Sequence, residues 1–387
     1  MNVKQLYEYT NQATQEVIGQ TIVLNEDLSN IVDVGKAIFD ANAVDSYVKK
    51  LVNHIGKVVF VNRPYSQRAP RVLIDAWEFG SVLEKVSYTE LPEAEINESW
   101  ELHDREKYEQ DIFYQPKISA KFFNSKTTFE IPISITEMQV KQSFNSPTQL
   151  NSFISMIYTA IYNSMTVKTD ALIMATINNF TAETLYNAFP SGTYTGTSAR
   201  AINLLKLYND GPNKGGTALT KDLALSNLDF LKFASMTIRL HVGYLQQIST
   251  LYNIEGAPRF TPRDLLHIVI LDYFASASDI YLQADTYHND MVKLPEFERV
   301  SYWQGTGKDM SFDSISKIDI KSSNNHSVEL DGVLCVMFDR DALGVTNTNE
   351  RTTSHYNAKG EFDNFWFKRD ASYFNAQDEN FIVFFIQ

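Results

Sequence analysis

The sequence of 387 residues lacks several features that define large classes of protein. It contains one cysteine, Cys335, which excludes an intrachain disulfide framework and indicates a reducing compartment. No apolar run reaches the roughly 18 residues that a membrane helix requires. The opening MNVKQLYEYTNQATQEV has neither the basic end nor the apolar centre of a signal peptide. A cytosolic product without a membrane anchor is therefore expected.

Basic residues are also in short supply. Lys and Arg number 34 against 47 Asp and Glu, so the formal net charge is −13. This balance argues against a protein whose main task is to grip nucleic acid, because phosphate binding needs clustered Lys and Arg. Hydrophobic residues make up 44% of the chain and aromatic residues 13%, which is ample for packed cores.

Sequence patterns of catalysis are mostly missing. The seven histidines do not show the four-residue spacing of a zinc helix, and there is no G-x-S-x-G nucleophile motif. GTGKD (305–309) lacks the spacing of a phosphate-binding loop. Asp339 and Asp341, at the end of an expected strand, could together bind a divalent metal, as in some transferases. Arg340 between them indicates a salt-bridged corner instead, and both interpretations remain open.

What the sequence has in excess is a run of acids between residues 84 and 111, here called the acidic stretch. It contains ten carboxylates and three bases, a net charge of −7. Like charges this close repel within a Debye length of about 8 Å, so a metal, solvent or a basic partner must compensate them. Residues 86–111 contain no glycine, which disfavours a calcium loop.

A basic segment precedes the acidic stretch. Residues 57–71 carry four positive charges and no acid, which makes the same segment of another copy a natural partner for the acidic stretch. The candidate contact residues between copies are Arg63, Arg68, Arg71, Glu90, Glu93, Glu95, Glu98, Trp100 and Glu101.

Hydrophobic periodicity predicts several helices. Ser146-Pro147 offers an N-cap hydroxyl and a first-position proline, and the apolar stripe after it predicts a long spine helix over 147–180. Shorter helices are expected over 33–54, 199–208 and 228–252. The last of these is expected to bury one stripe of side chains, namely Leu231, Ala234, Ile238, Leu245 and Ile248.

Strand patterns occur on both sides of the spine helix. VVFVN (58–62) is rich in β-formers, and alternation over 116–135 predicts strands with Asn124 and Ser125 near a turn. Three short apolar runs predict buried strands in a mixed α/β domain: LLHIVIL (265–271), GVLCVMF (332–338) and NFIVFFI (380–386). About 60 residues separate the first two β-type segments, and so long a loop suits docking on a neighbour.

Two parts of the sequence carry a resemblance to a known family. ISTLYNIEGAPRFTPRDLLHIVILDYFASASDIYLQADTYHNDMVKLPEF (248–297) resembles the middle of the axial domain in capsid proteins of phages that infect low-GC Gram-positive bacteria. VMFDRDALGV (336–345), followed by YNAKGEFDNFWFKRDASYF and DENFIVFFI, resembles their C-terminal end. The order of parts along the chain is also similar to that of the major capsid protein of tailed bacteriophages.

This resemblance implies an α+β fold of defined parts. These are an N-terminal arm at 1–32, an extended β loop at 61–115, a peripheral domain from 33–60 and 116–185, an axial domain at 186–345 and C-terminal return strands at 346–387. It implies hexamers and pentamers of an icosahedral head that encloses double-stranded DNA without sequence-specific binding. Assembly in the bacterial host cytoplasm into the virion, with a separate scaffolding protein and a portal as partners, is expected. No catalytic residue, cofactor or metal is expected.

Two alternatives have different functions. An encapsulin-like compartment would share the fold and enclose an enzyme instead of a genome. A metal-dependent transferase would use Asp339 and Asp341.

Overall fold

The computed structural model divides into two compact units. Unit 1 comprises residues 1–68, 126–172 and 346–372, and unit 2 comprises residues 69–125, 173–345 and 373–387. The structure describes residues 11–17, 34, 43, 46–47, 69–72, 83–94, 99–107, 111, 113, 115–136, 147–211, 217–284, 296–304 and 315–387.

Strands and helices largely occur in separate runs along the chain, as in an α+β protein. Among the described residues, 11–17 are helical, and the numbered helices are α1 (Pro147–Ala188), α2 (Leu204–Asp210), α3 (Lys221–Ala224), α4 (Leu228–Leu245) and α5 (Asp272–Ala284). The strands are β1 (Leu83–Tyr88), β2 (Ile118–Phe123), β3 (Lys126–Thr136), β4 (Ala201–Asn203), β5 (Leu266–Leu271), β6 (Glu298–Val300), β7 (Ile318–Lys321), β8 (Ser327–Leu330), β9 (Val333–Asp339), β10 (Leu343–Asn357), β11 (Phe362–Asn375) and β12 (Phe381–Phe385). The predicted α+β class is confirmed.

Unit 2 is built on a five-stranded sheet in the order β4-β12-β9-β5-β6. The three central strands, β12, β9 and β5, are the three apolar runs predicted as buried strands. Strand β9 lies between the other two and pairs antiparallel with both. Every residue of β9 and β12 is buried, so both faces of these strands are covered. A continuous apolar run is what such a strand requires.

Helix α4 packs on this sheet through one apolar stripe. Four of the five side chains predicted for that stripe are buried: Leu231, Ala234, Ile238 and Leu245. The helix begins at the Asn227 cap, whose side chain accepts a hydrogen bond from the Phe230 amide at 2.9 Å. It ends at Leu245, seven residues before the predicted end, and the fifth side chain, Ile248, is 58% exposed. The prediction was wrong there because the apolar spacing continues past the last helical turn.

Two other helix predictions can be compared with the structure. The spine helix begins at Pro147 as predicted and continues to Ala188, eight residues beyond the predicted end. The predicted helix over 199–208 is wrong in its first half. Residues 201–203 form β4 at the edge of the sheet, and Asn203 then caps α2 by accepting a hydrogen bond from the Lys206 amide.

Unit 1 contains a sheet in which β3 pairs antiparallel with β11. Phe365 and Phe367 of β11 are buried in this unit. Arg369 follows these two residues on β11. Its Nε atom lies 2.7 Å from Glu350 Oε1, and both side chains are nearly buried. Its guanidinium also donates to Thr169 Oγ1 at 3.3 Å. A buried charge needs this kind of pairing to be tolerated.

The segments on either side of Asn124 and Ser125 are strands, as predicted, but they do not pair with each other. Strand β3 pairs with β11, whereas β2 pairs antiparallel with β1, so that Tyr88 lies opposite Ile118 and Leu83 opposite Phe123. The two strands β1 and β2 are called the ribbon below. The predicted helix at 33–54 lies largely outside the described residues, and the predicted strand at 58–62 lies wholly outside them.

Candidate inter-subunit surface

The ribbon presents its polar face to the body of unit 2. Lys85, Ser87 and Lys121 alternate with outward residues on the two strands, and they reach a turn between β11 and β12. Lys121 Nζ donates to Asp378 Oδ1 at 2.9 Å and to Glu255 Oε1 at 2.6 Å. The Ser87 hydroxyl donates to Asp378 Oδ2 at 3.3 Å. The ribbon is therefore held at its base by ionic contacts.

An arginine whose side chain is mostly shielded from solvent completes this arrangement. Arg259 donates to Asp378 Oδ2 at 2.9 Å, to Glu379 Oε1 at 3.1 Å and to the Tyr88 carbonyl at 3.0 Å. Lys85 Nζ lies 2.7 Å from Glu379 Oε1. We call these five residues, Lys85, Lys121, Arg259, Asp378 and Glu379, the anchor cluster.

The anchor cluster lies at one end of the central sheet. Strand β9 ends at Asp339 and β12 begins at Phe381, which pairs with Phe338, so the turns that follow β9 and precede β12 meet there. The Asp378 side chain is 3% exposed and that of Arg259 is 13% exposed. Charge-assisted hydrogen bonds are stronger than neutral ones, and several share each carboxylate here. These bonds therefore fix the orientation of the ribbon on the rest of unit 2.

The two carboxylates of the anchor cluster have opposite pKa shifts. Burial alone would raise the pKa of Asp378, but the hydrogen bonds from Lys121 and Arg259 and the charge of Lys85 lower it to about 2. For Glu379, burial outweighs the charges of Lys85 and Arg259, and the pKa is raised. Asp378 is therefore the carboxylate whose ionised form stabilises the cluster.

Acid is expected to weaken the anchor cluster. Because the folded-state pKa of Asp378 lies below its ordinary value of 3.8, its contribution is present above about pH 4 and is lost as the pH falls towards 2. At neutral pH, Asp378→Asn should lower the free energy of unfolding by about 2 kcal/mol. Urea unfolding of both proteins from pH 7 to pH 2 should show this difference closing at the acid end. The control Asp104→Asn, at a side chain 98% exposed, should differ little from wild type throughout; a constant Asp378 difference would contradict the assignment.

The described acids of the acidic stretch beyond the ribbon are on the surface. Glu93 and Glu101 are exposed, and Glu90 is exposed while paired with Lys117. Trp100 is 93% exposed, which is unusual for the largest apolar side chain. In a single copy, Glu93 and Glu101 therefore face solvent, whereas Glu90 has the Lys117 ammonium beside it.

The remaining candidate contact residues divide into two groups. The Arg71 side chain is 92% exposed, and its Nε atom lies 3.9 Å from Glu298 Oε1. Its backbone amide donates to the other oxygen of Glu298 at 2.7 Å. Four candidates lie outside the described residues: Arg63, Arg68, Glu95 and Glu98.

The aspartates of the transferase alternative form a structural turn. Asp339 is buried, and its Oδ1 atom accepts a hydrogen bond from the Asp341 amide at 2.9 Å. Burial raises the pKa of Asp339, partly offset by its hydrogen bonds to the Asp341 amide and to Thr261. Among the described residues, no group of three or more His, Cys, Asp or Glu side chains could hold a metal ion.

No local sequence pattern predicts the anchor cluster. Its charged residues come from four separate segments, and Lys121 and Asp378 are 257 positions apart. A partial signal exists in LEKVSY (83–88) and ISAKFF (118–123), where polar and apolar residues alternate and each strand has one lysine on its polar face. The strand pattern of β1 is difficult to detect in the sequence, because β1 overlaps the beginning of the acidic stretch.

Comparison with known proteins places this fold among virion proteins. The model of the Phi29-like phage major capsid protein family matches residues 8–385, so the chain belongs to that family. It is similar to the major capsid protein of Bacillus phage GA-1, with 24% identity over 172 residues. That match covers 44% of this chain and 34% of the GA-1 protein, so it spans about a third of that relative's length.

Solved structures are similar in fold at low identity. A chain in the structure of the head fiber and inner core protein gp22 of native bacteriophage P68 has a TM-score of 0.51 and 10% identity, with 84% of this chain and 88% of that chain covered. A chain from the capsid structure of Staphylococcus phage Andhra has a TM-score of 0.48 and 10% identity, with 84% and 86% covered.

Among the described residues, no helix is long and apolar enough to cross a membrane. The chain is a phage major capsid protein and thus a component of the virion.

Proposed function

We propose that this chain self-assembles into the hexamers and pentamers of an icosahedral head that encloses double-stranded DNA. The observation that supports this most strongly is the family match over nearly the whole chain, from residue 8 to residue 385. In this role the protein works as a building block and catalyses no reaction.

The acidic stretch would provide a docking surface for a neighbouring copy. Its described carboxylates are exposed, and the ribbon that leads into it is held in one orientation by the anchor cluster. Its partner would be the basic segment 57–71 of the adjacent copy, which carries Arg63, Arg68 and Arg71. Complementary charges at an interface guide the encounter and fix its register.

The parts of the chain would be divided among several roles. Residues 1–32 would form an arm that reaches a second neighbour, and 61–115 the extended loop. The peripheral domain would combine 33–60 with 116–185, the axial domain would occupy 186–345, and residues 346–387 would return to both. Interfaces built by such segments are large and obligate, commonly above about 2,000 Å².

The negative charge of the chain suits contact with packaged DNA. A surface without clustered Lys and Arg gains nothing from counterion release, so DNA would pass without adhering.

Assembly in the bacterial host cytoplasm would involve a separate scaffolding protein and a portal. Shells of normal size from the protein expressed alone would refute the need for the scaffolding protein.

Charge reversal tests the docking surface. The triple variant Glu93→Lys, Glu95→Lys and Glu98→Lys should fold normally and yield at least tenfold fewer shells, because the docking surface would then repel the basic segment. Gradient sedimentation measures the yield, and circular dichroism checks the fold.

The matched control reverses three exposed carboxylates on other elements, Asp210, Glu329 and Glu361, for the same change in net charge. Normal shells from the acidic-stretch variant would refute the docking surface. Equal loss in both variants would show that net charge matters instead of position.

The encapsulin-like alternative differs in its contents. Native particles of this protein should contain double-stranded DNA when they are extracted from infected cells and treated with nuclease on the outside. A packaged enzyme in place of nucleic acid would favour the compartment.

A further inference from the structure

The side of α4 that faces away from the central sheet exposes a row of apolar side chains. Met236, Leu240 and Tyr244 follow one another at four-residue spacing, so they lie on the same side of the helix. They are 53%, 47% and 46% exposed. Other residues of α4 form its part of the core of unit 2, so the packing of this helix on the sheet does not require the row.

The row continues beyond the end of α4. Ile248 follows Tyr244 at the same four-residue spacing. Ser249 pairs with Arg259 in an antiparallel bridge, which brings Ile248 beside Phe260. These two apolar side chains are 58% and 51% exposed. Single exposed apolar residues are common, but a contiguous group marks an interaction surface. This group is called the α4 patch and consists of Met236, Leu240, Tyr244, Ile248 and Phe260.

A glycine lies beside the α4 patch without an internal reason for its presence. Gly243 is exposed, and glycine destabilises a helix because it loses the most backbone freedom on folding. Among the described residues, a Cβ atom on Gly243 would meet nothing within 4 Å. Its backbone is also not in the left-handed conformation of a glycine that ends a helix. Close approach by the backbone of another molecule is what this glycine would permit.

The charges around the α4 patch are mainly positive. Lys232 precedes Met236 by one turn, and the exposed Arg239 precedes Gly243 by one turn. The only acid of α4 is Asp229, in the first turn. In a chain with a net charge of −13, this side of α4 is therefore suited to carboxylates, which arginine binds in a bidentate manner.

We propose that the α4 patch is a docking site for an amphipathic, acidic helix of a second protein. The row of Met236, Leu240 and Tyr244 is a ridge of the kind that packs into the groove of another helix, and Gly243 lets the two backbones approach. The carboxylates of the partner would face Arg239 and Lys232.

The partner differs from the one proposed for the acidic stretch. Within this chain, the grouped carboxylates are those of residues 84–111, and they are assigned to the basic segment 57–71. The inference goes beyond the proposed function, because it assigns the α4 patch to another protein and does not require that shells form.

Binding of two synthetic peptides to the isolated subunit tests the charge and the shape of the site. Both are alanine-based helices with leucines four residues apart, and one carries glutamates beside the leucines where the other carries lysines. Fluorescence anisotropy should show the acidic peptide binding at least tenfold more tightly. Arg239→Glu should reverse this preference.

Two variants test the apolar row. Met236→Ser combined with Leu240→Ser should weaken binding of the acidic peptide at least tenfold. The control Val167→Ser changes a residue on α1 that is 55% exposed, and it should bind like wild type.

A substitution at Gly243 separates binding from folding. Gly243→Gln should raise the urea midpoint of the subunit, because glutamine is the better helix former and has open space around it. The same variant should bind the acidic peptide at least tenfold more weakly, because the new side chain occupies the line of approach. A loss of binding in a more stable protein cannot result from misfolding.

Three results would overturn the inference: no binding of the acidic peptide, equal binding of both peptides, or binding that Gly243→Gln leaves unchanged. Self-association of the wild-type subunit in analytical ultracentrifugation, abolished by the two serine substitutions, would show that a second copy covers the α4 patch and would also overturn it. None of these measurements requires shells, so the proposed function is tested separately.

Discussion

Replacing Arg259 by leucine is expected to destabilise unit 2 by about 3–5 kcal/mol, the usual cost of removing one partner from a buried charge cluster. The arginine is 13% exposed and neutralises Asp378 and Glu379, which are 3% and 10% exposed. Without it, two carboxylates remain buried with two lysines at the ribbon, and the Tyr88 carbonyl loses its donor. Urea unfolding of the isolated subunit at neutral pH measures the loss.

Arg239 offers a matched control for this variant. It is an exposed arginine on α4, so that Arg239→Leu removes the same charge from the surface and should change the stability by less than about 0.5 kcal/mol. The Arg259 variant should also lose hydrogen-exchange protection in residues 83–88 and 118–123, because the ribbon is then released. Unchanged protection together with a small loss of stability would contradict the role of the anchor cluster.

Replacing Phe384 by alanine is expected to cost about 3–5 kcal/mol, because it leaves a cavity at the centre of the main sheet. Phe384 is fully buried on β12, where it lies opposite Cys335 of β9. Its ring packs edge-on against the His241 ring of α4 at 5.3 Å. The loss should appear as a lower urea midpoint with an unchanged slope, since the folded structure is retained.

The control is the same change at a surface phenylalanine. Phe122 is 63% exposed on the ribbon, and Phe122→Ala should lower the free energy of unfolding of the isolated subunit by well under 1 kcal/mol. Comparable losses at both positions would show either that the sheet is loosely packed or that the ribbon face is covered in the subunit.

The elements that the sequence predicted best are those with a local signal. The run NFIVFFI (380–386) has no polar residue after its first position, and a continuous apolar run of this short length is typical of a strand buried on both faces. The start of α1 was predictable because proline is favoured at the first helical position. The prediction for β4 and α2 was wrong because the three-residue strand ends at Asn203, which also caps the helix, and the apolar spacing of the strand continues into the helix.

The orientation of the ribbon could not be predicted in this way. Which face of β1 and β2 turns inward depends on Arg259 and Asp378, which are more than 100 residues distant in sequence. Hydrophobic patterning alone predicts the opposite orientation, with Val86 and Phe122 inside. The charge of the acidic stretch is evident in the sequence, whereas the apolar residues interspersed with it carry no local signal of the face on which they lie.

This chain is proposed to be the subunit of a closed icosahedral shell, in which the acidic stretch of each copy docks on another. Negative-stain electron microscopy of the protein coexpressed with the neighbouring phage genes tests it most directly. Closed icosahedral shells, lost in the triple variant Glu93→Lys, Glu95→Lys and Glu98→Lys, are the expected result. A dispersed monomer under every condition would contradict the account.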